Sequence, residues 1–285
     1  MKKKTLILLI VFSCVAGIFL FLYLFERPYK NTISPDLKFG FLPADDTEYY
    51  KEFKSLGIDY VLIGSYSEED AMRRLSEAEK NGLMVYISAG TLHPDDFMRM
   101  EKFGGNKVVE GFFLDEPHVH KANYKNTDIE KWITWSKEKF PDKKIFIATP
   151  RTGTYEELLN IPNLKEIGFQ PDTYPIMGPL KIYGTQRRLV ERMQNDGFEI
   201  QPIVQTHARL LYEEGMKGKY VDIISSIGGH GLIDWPTPQQ VAMQIKNVAV
   251  SGVKLIWFYP GQDIFIKWTP ERAEYIKNIF EELKK

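Results

Sequence analysis

The stretch Val108–His120, "VVEGFFLDEPHVH", decides how this chain is read: an apolar run stops abruptly at two adjacent acids, a proline and two histidines. Successive side chains of a strand point to opposite faces, so a run apolar at nearly every position is covered on both sides. Seven further segments have the same character: "LKFGFLP" (37–43), "DYVLIGSY" (59–66), "LMVYISAG" (83–90), "KKIFIATP" (143–150), "LKEIGFQPD" (164–172), "EIQPIVQTH" (199–207) and "VKLIWFYP" (253–260).

Between them lie stretches whose apolar residues recur at helical spacing, such as 46–57, 67–82, 128–141, 185–197, 237–252 and 269–285. Several open on Asp, Ser or Thr, which cap free backbone N–H groups, and several close on Gly. Thr237-Pro238 and Thr269-Pro270 each place a cap before a proline in the first turn. Eight strand–helix units with strands buried on both faces define an α/β chain, and eight is the number that closes a (β/α)8 TIM barrel. No glycine-rich phosphate loop follows the first strand, which argues against an open doubly wound sheet.

Outside this alternation stands the N-terminus, "MKKKTLILLIVFSCVAGIFLFLYLFERPYK". Three lysines precede an uncharged apolar run from Thr5 to Phe25, which as a helix reaches about 31 Å, the hydrocarbon thickness of a bilayer. The chain therefore divides into a transmembrane helix serving as membrane anchor (1–29), a short polar tether (30–36) and a barrel domain (37–285). Lysines on the N-terminal flank hold that end in the cytoplasm, so the domain of this single-pass protein faces outward from the cell membrane. Two alternatives stay open, a lipoprotein, because "VFSC" at Cys14 resembles a lipid-acceptor site, and a secreted protein whose leader is removed.

Cys14 is the only cysteine, so the domain is stabilised by its core and not by disulfides. With 37 basic residues scattered among 38 acidic ones there is no block able to neutralise a row of phosphates, and a nucleic-acid partner is excluded. Nothing in the sequence sets an oligomeric state.

In a barrel the C-terminal ends of all strands meet at one mouth. Asp115 and Glu116 close strand four there, and Asp172 closes strand six. In isolation "DEP" reads as a helix cap before a proline turn; at the end of a buried strand it reads as a pair of site acids. Two carboxyls at the edge of an apolar interior have their pKa values pushed apart, leaving one protonated beside one ionised, the requirement of glycoside hydrolysis. Ligand-binding candidates at the same end are Tyr66, His118, Gln170, Tyr174, Gln205, His207, Trp257 and Tyr259. Amides and carboxylates pair with hydroxyl groups and flat rings stack on sugars, so the expected partner is a carbohydrate.

Trp257 and Tyr259 serve equally as core filling, and Tyr174 as a loop anchor. His118 and His120 have metal-like spacing but no neighbouring ligands in the sequence, so neither a metal nor a cofactor is expected. A third reading, a divalent-metal isomerase or hydrolase, would use Glu116, His207 and the strand-six acid.

The acid-Glu-Pro triplet closing strand four resembles the clan A glycoside hydrolases, whose strand-four Asn-Glu-Pro supplies the acid/base; Asp115 stands here where those enzymes carry Asn. Asp172-Thr173-Tyr174-Pro175 and the strand-eight segment also resemble a broad, poorly characterised group of glycoside-hydrolase-like barrels. The adjacent acids on strand four with a further acid on strand six look like polysaccharide-cleaving galactosaminidase-type barrels. These resemblances imply a glycoside hydrolase with Glu116 as general acid and Asp115 or Asp172 as its partner. Clan A enzymes place a nucleophilic Glu at the end of strand seven, where this chain has "VQTHA", Gln205 or His207 standing in that neighbourhood. The alternative is a non-catalytic carbohydrate-binding barrel lacking the strand-seven nucleophile.

Overall fold

Among the described residues strand and helix alternate, as the hydropathy pattern requires. The structure, a computed structural model, describes residues 33–42, 47–64, 67–90, 92–117, 125–149, 152–173, 184–205, 237–250, 252–259 and 270–285. The strands are β1 (Lys38–Phe41), β2 (Tyr60–Ile63), β3 (Met84–Ser88), β4 (Val109–Leu114), β5 (Lys144–Thr149), β6 (Gly168–Thr173), β7 in two pieces (Glu199–Ile200 and Ile203–Gln205) and β8 (Leu255–Tyr259). After them come α1 (Tyr50–Leu56), α2 (Glu68–Lys80), α3 (Pro94–Phe103), α4 (Asn126–Lys139), α5 (Thr152–Leu158), α6 (Gly184–Asn195), α7 (Pro238–Val248) and α8 (Pro270–Lys284). Every strand pairs in parallel with the next, and β8 pairs with β1 from Lys38↔Leu255 to Phe41↔Phe258. The sheet is a closed ring.

Of the caps foreseen in the sequence, those at Thr237 and Ser67 are formed, whereas the helix expected to open on Asp128 starts at Asn126 and Asp128 accepts from the Lys125 amide at 3.2 Å. Thr237 Oγ1 accepts from the Gln240 amide at 3.3 Å, while Gln240 Oε1 accepts from the Thr237 amide at 2.7 Å, with Pro238 in the first turn. Ser67 Oγ accepts from the Asp70 amide at 3.3 Å at the start of α2, and Gly57, at φ +96°, closes α1.

The alternation of strand side chains separates two cores. One face, including Val61, Val85, Phe112, Ile147, Phe169 and Phe258, packs against the helices. The other, with Leu62, Tyr86, Phe113, Phe146, Ile203 and Trp257, fills the barrel interior. Glycine makes room for the large interior rings: a Cβ on Gly40 would lie 2.3 Å from Trp257 Cε3, and one on Gly168 2.2 Å from Phe146 Cε1.

Strand seven is broken for a reason written in two Gln-Pro dipeptides at one level of neighbouring strands. The β6–β7 register is constant from Gly168↔Glu199 to Thr173↔Val204, which sets Gln170 beside Gln201 and Pro171 beside Pro202. The Gln201 amide donates to the Phe169 carbonyl at 3.0 Å, so the next rung would run from residue 171 to the Gln201 carbonyl. Proline has no N–H to give. Pro202 likewise forfeits the rung toward Leu255, although its own carbonyl accepts from the Trp257 amide at 2.9 Å.

At the opposite end from the mouth the chain is already held before β1 begins. Ile33 packs on the core, Leu37 is buried, the Leu37 amide donates to the Ser34 carbonyl, and the Lys38 amide donates to the Lys254 carbonyl. The apolar run Thr5–Phe25 lies outside the described residues; among those described, no helix is long and apolar enough to cross a membrane.

Candidate functional site

The mouth has a floor, and four strands contribute to it. Gln201 Oε1 accepts from Gln170 Nε2 at 3.0 Å and from Trp257 Nε1 at 3.0 Å, and Gln201 Nε2 donates to the Tyr86 hydroxyl at 3.1 Å. All four side chains are at most 2% exposed. Tyr86 stands edge-on to Trp257 and to Phe146, with ring centroids 5.4 and 5.9 Å apart. Burial raises the Tyr86 phenol well above its ordinary range, the hydrogen bond from Gln201 opposing this in part, so the hydroxyl stays neutral. Lower in the interior, Tyr60 is pushed up to about 12 by burial and then by the nearby Glu110 carboxylate.

Above this floor the strand ends carry the site chemistry. On β3, Ser88 is half-buried and its Oγ accepts from the Gly90 amide at 3.2 Å. The loop that follows holds Leu92 at φ +55°, and His93 and Asp96 then close a capping box on α3. On β4 burial is complete at Leu114, Asp115 is exposed, Glu116 is half-buried and Pro117 is buried. Glu116 sits at φ +30°, in the left-handed half of backbone space, which costs a residue with a Cβ on the order of 1–3 kcal/mol. The two acids differ in exposure, as adjacent positions leaving a strand should.

The sequence-derived candidates fall into three groups. Asp115, Glu116 and Tyr259 share the mouth end, Tyr259 half-buried against the interior cluster and paired in register with Gln205. The backbone of Asp172 pairs with Ile203 of the neighbouring strand, also toward that end. Gln170, expected among the ligand contacts, and Trp257, read equally as a ligand contact or as core filling, lie deeper. Each is 1% exposed and hydrogen-bonded to Gln201, so they form the floor beneath the mouth and not its lining. Tyr66, His118, Tyr174 and His207 lie outside the described residues.

Sequence reasoning missed Gln201 and Tyr86. The available signal was the paired Gln-Pro dipeptides at 170–171 and 201–202, since a polar residue before a strand-breaking proline in two successive buried strands asks for a partner.

No family model matches the chain, and no match is found among the curated proteins. Among solved structures it is similar to a monomeric form of the dimeric phosphoribosylanthranilate isomerase of Thermotoga maritima, at 12% identity over 87% of this chain and 98% of that one, with a TM-score of 0.52. An aldose reductase of Giardia lamblia aligns at 14% identity over 90% of this chain and 89% of that one, TM-score 0.53. An aldo/keto reductase of Brucella melitensis aligns at 13% identity over 90% and 92%, TM-score 0.51. At such identities the shared property is the TIM-barrel fold; substrates do not transfer with it.

Proposed function

We propose that the protein is a membrane-anchored, extracytoplasmic glycoside hydrolase acting on a polysaccharide or oligosaccharide by carboxylate catalysis. The observation that carries this reading is the Asp115–Glu116 pair at the C-terminal end of β4, with Glu116 half-buried and held at φ +30°. Barrel enzymes build their sites at that end, and backbone strain collects at functional positions.

Glu116, the less exposed acid, is the general acid that protonates the departing glycosidic oxygen. Asp172 or Asp115 is the second carboxylate. It attacks the anomeric carbon when the carboxyls stand about 5–5.5 Å apart, and activates a water when they stand about 6.5–9.5 Å apart. Tyr259, half-buried above the floor, offers a ring suited to the apolar face of a sugar.

The test is turnover of a polysaccharide panel by purified residues 30–285 and by Glu116→Gln. Loss of reducing-end release in the variant, with sugar binding retained, supports the assignment; equal activity sinks it. One observation favours the second reading, a non-catalytic carbohydrate-binding barrel: the strand-seven position in register with Tyr259 is the amide Gln205. That reading predicts saturable binding, unchanged by Glu116→Gln, without product.

A further inference from the structure

We infer that Ser88 is a further ligand-binding residue: its hydroxyl donates a hydrogen bond to an oxygen of the sugar unit seated against the end of β4. The inference rests on the reading of the mouth as a sugar site and adds to it a residue that selects the sugar.

Phase and register place the residue. Tyr86 belongs to the interior cluster, while Val85 and Ile87 pack against the helices. Two residues beyond Tyr86, Ser88 therefore lies on the interior side of β3, directly above the floor. In the β3–β4 ladder it is level with Phe113, another interior residue, and the same alternation carried forward along β4 reaches Asp115. On the other flank Ile63 pairs with Ile87, so the residue level with Ser88 on β2 is Gly64. Glycine has no side chain to fill the space beside the hydroxyl. Ser88 thus stands half-buried at the rim, between that gap and the Asp115–Glu116 pair.

The hydroxyl is held in place yet still able to donate. Its Oγ accepts from the Gly90 amide at 3.2 Å, which leaves its own proton to give, and among the described residues nothing accepts it. The turn that sets this geometry is tightly built. Gly90 is at φ +59°, and a Cβ there would lie 2.6 Å from Asp96 Oδ1. Asp96 is 4% exposed; its Oδ2 accepts from the His93 amide at 3.1 Å, and Arg99 pairs with Oδ1. The buried Ala89 donates its amide to the Phe113 carbonyl at 2.7 Å, which ties the turn to β4. Leu92 follows at φ +55°, and Glu116 stands at φ +30° after the next strand. Strained backbone gathers at ligand clamps, and two adjoining corners of this rim carry it.

The recognition follows from the chemistry of the pair. A sugar hydroxyl accepts through its lone pairs and passes its own proton to an acceptor. Ser88 supplies the donor and Asp115, on the neighbouring strand, the acceptor. A sugar unit without a free hydroxyl at that position leaves the Ser88 proton unmatched and binds less well.

The test uses the full chain in detergent micelles, native and with Ser88→Ala or Ser88→Thr, on soluble starch, xylan, mannan, chitosan and polygalacturonate. The expected result is a KM raised roughly three- to tenfold in Ser88→Ala, the effect of one hydrogen bond, with a much smaller change in kcat. Ser88→Thr keeps the hydroxyl and should recover most of the loss. An unchanged KM in Ser88→Ala, or a loss shared equally by Ser88→Thr, overturns the role of Ser88 and leaves the hydrolase reading standing. Absence of turnover by the native chain overturns the hydrolase reading, and Ser88 is then decided by calorimetric titration of the same polysaccharides. A Kd several-fold weaker in Ser88→Ala and not in Ser88→Thr supports the binding role; equal binding, or none by the native chain, overturns it.

Discussion

Replacing Gln201 with leucine keeps the approximate volume of the side chain and removes its amide. Three buried groups then lose a partner: Gln170 Nε2, Trp257 Nε1 and the Tyr86 hydroxyl, at 3.0, 3.0 and 3.1 Å in the native protein. An unsatisfied buried donor or acceptor costs about 1–3 kcal/mol. The Tyr86 hydroxyl can rotate, whereas the indole N–H is fixed by a ring locked over Gly40. The expected loss is thus roughly 3–5 kcal/mol, a large share of the ~5–15 kcal/mol that holds a domain folded. The strands joined by the network also lack the backbone rungs that Pro171 and Pro202 cannot donate, so fewer ladder bonds share the load at this level.

Urea unfolding of residues 30–285 reads this as a lower midpoint at unchanged slope. A double-mutant cycle with Trp257→Phe separates hydrogen bonding from packing, because the indole N–H has no bond to lose once Gln201 is leucine. Trp257→Phe must therefore cost less in the Gln201→Leu background than in the native one. A Gln201→Leu loss below about 1 kcal/mol, or strict additivity in the cycle, would refute the claim that the amide organises the floor.

Two further predictions concern the acids and phenols. If Glu116 is strained by its φ of +30°, Glu116→Gly is more stable than Glu116→Ala by about 1 kcal/mol in the same urea assay, because only glycine adopts that backbone freely; equal midpoints would remove the strain argument. Tyr60 ionises near 12 in the folded protein against 10.0 in the unfolded chain, so its folded state binds the proton more tightly. Its contribution to stability is complete below pH 10.0 and is lost as pH rises toward 12, and Tyr60→Phe should flatten that limb of a stability-versus-pH curve; an unchanged limb speaks against a buried phenol.

The ring of strands was legible because burial on both faces leaves a plain mark, an unbroken apolar run such as "KIFIAT" or "LIWFY", and because eight such runs alternate with helices. The break in strand seven was not, since it arises from a proline on the neighbouring strand whose missing N–H is felt only once the register is known. The same ignorance of level put Gln170 among the ligand contacts and left Trp257 open between stacking on a ligand and filling the core. Sequence marks which end of a strand is carboxyl, but not how far below the rim a given side chain lies. That Asp115 and Glu116 leave β4 at the mouth end was legible, because they follow directly on Leu114, where the buried run of the strand stops. The left-handed backbone at Glu116 carries no such mark, for glutamate is not the residue that conformation prefers.

Tyr60, Tyr86 and Trp257 pack tilted and edge-on through the interior with centroid separations of 6.1 and 5.4 Å, and the amide cluster is tied across them. The barrel is therefore a cup with a solid base and not a tube. Whatever enters at the mouth has no way through to the opposite end, because these rings and the amide cluster close the axis.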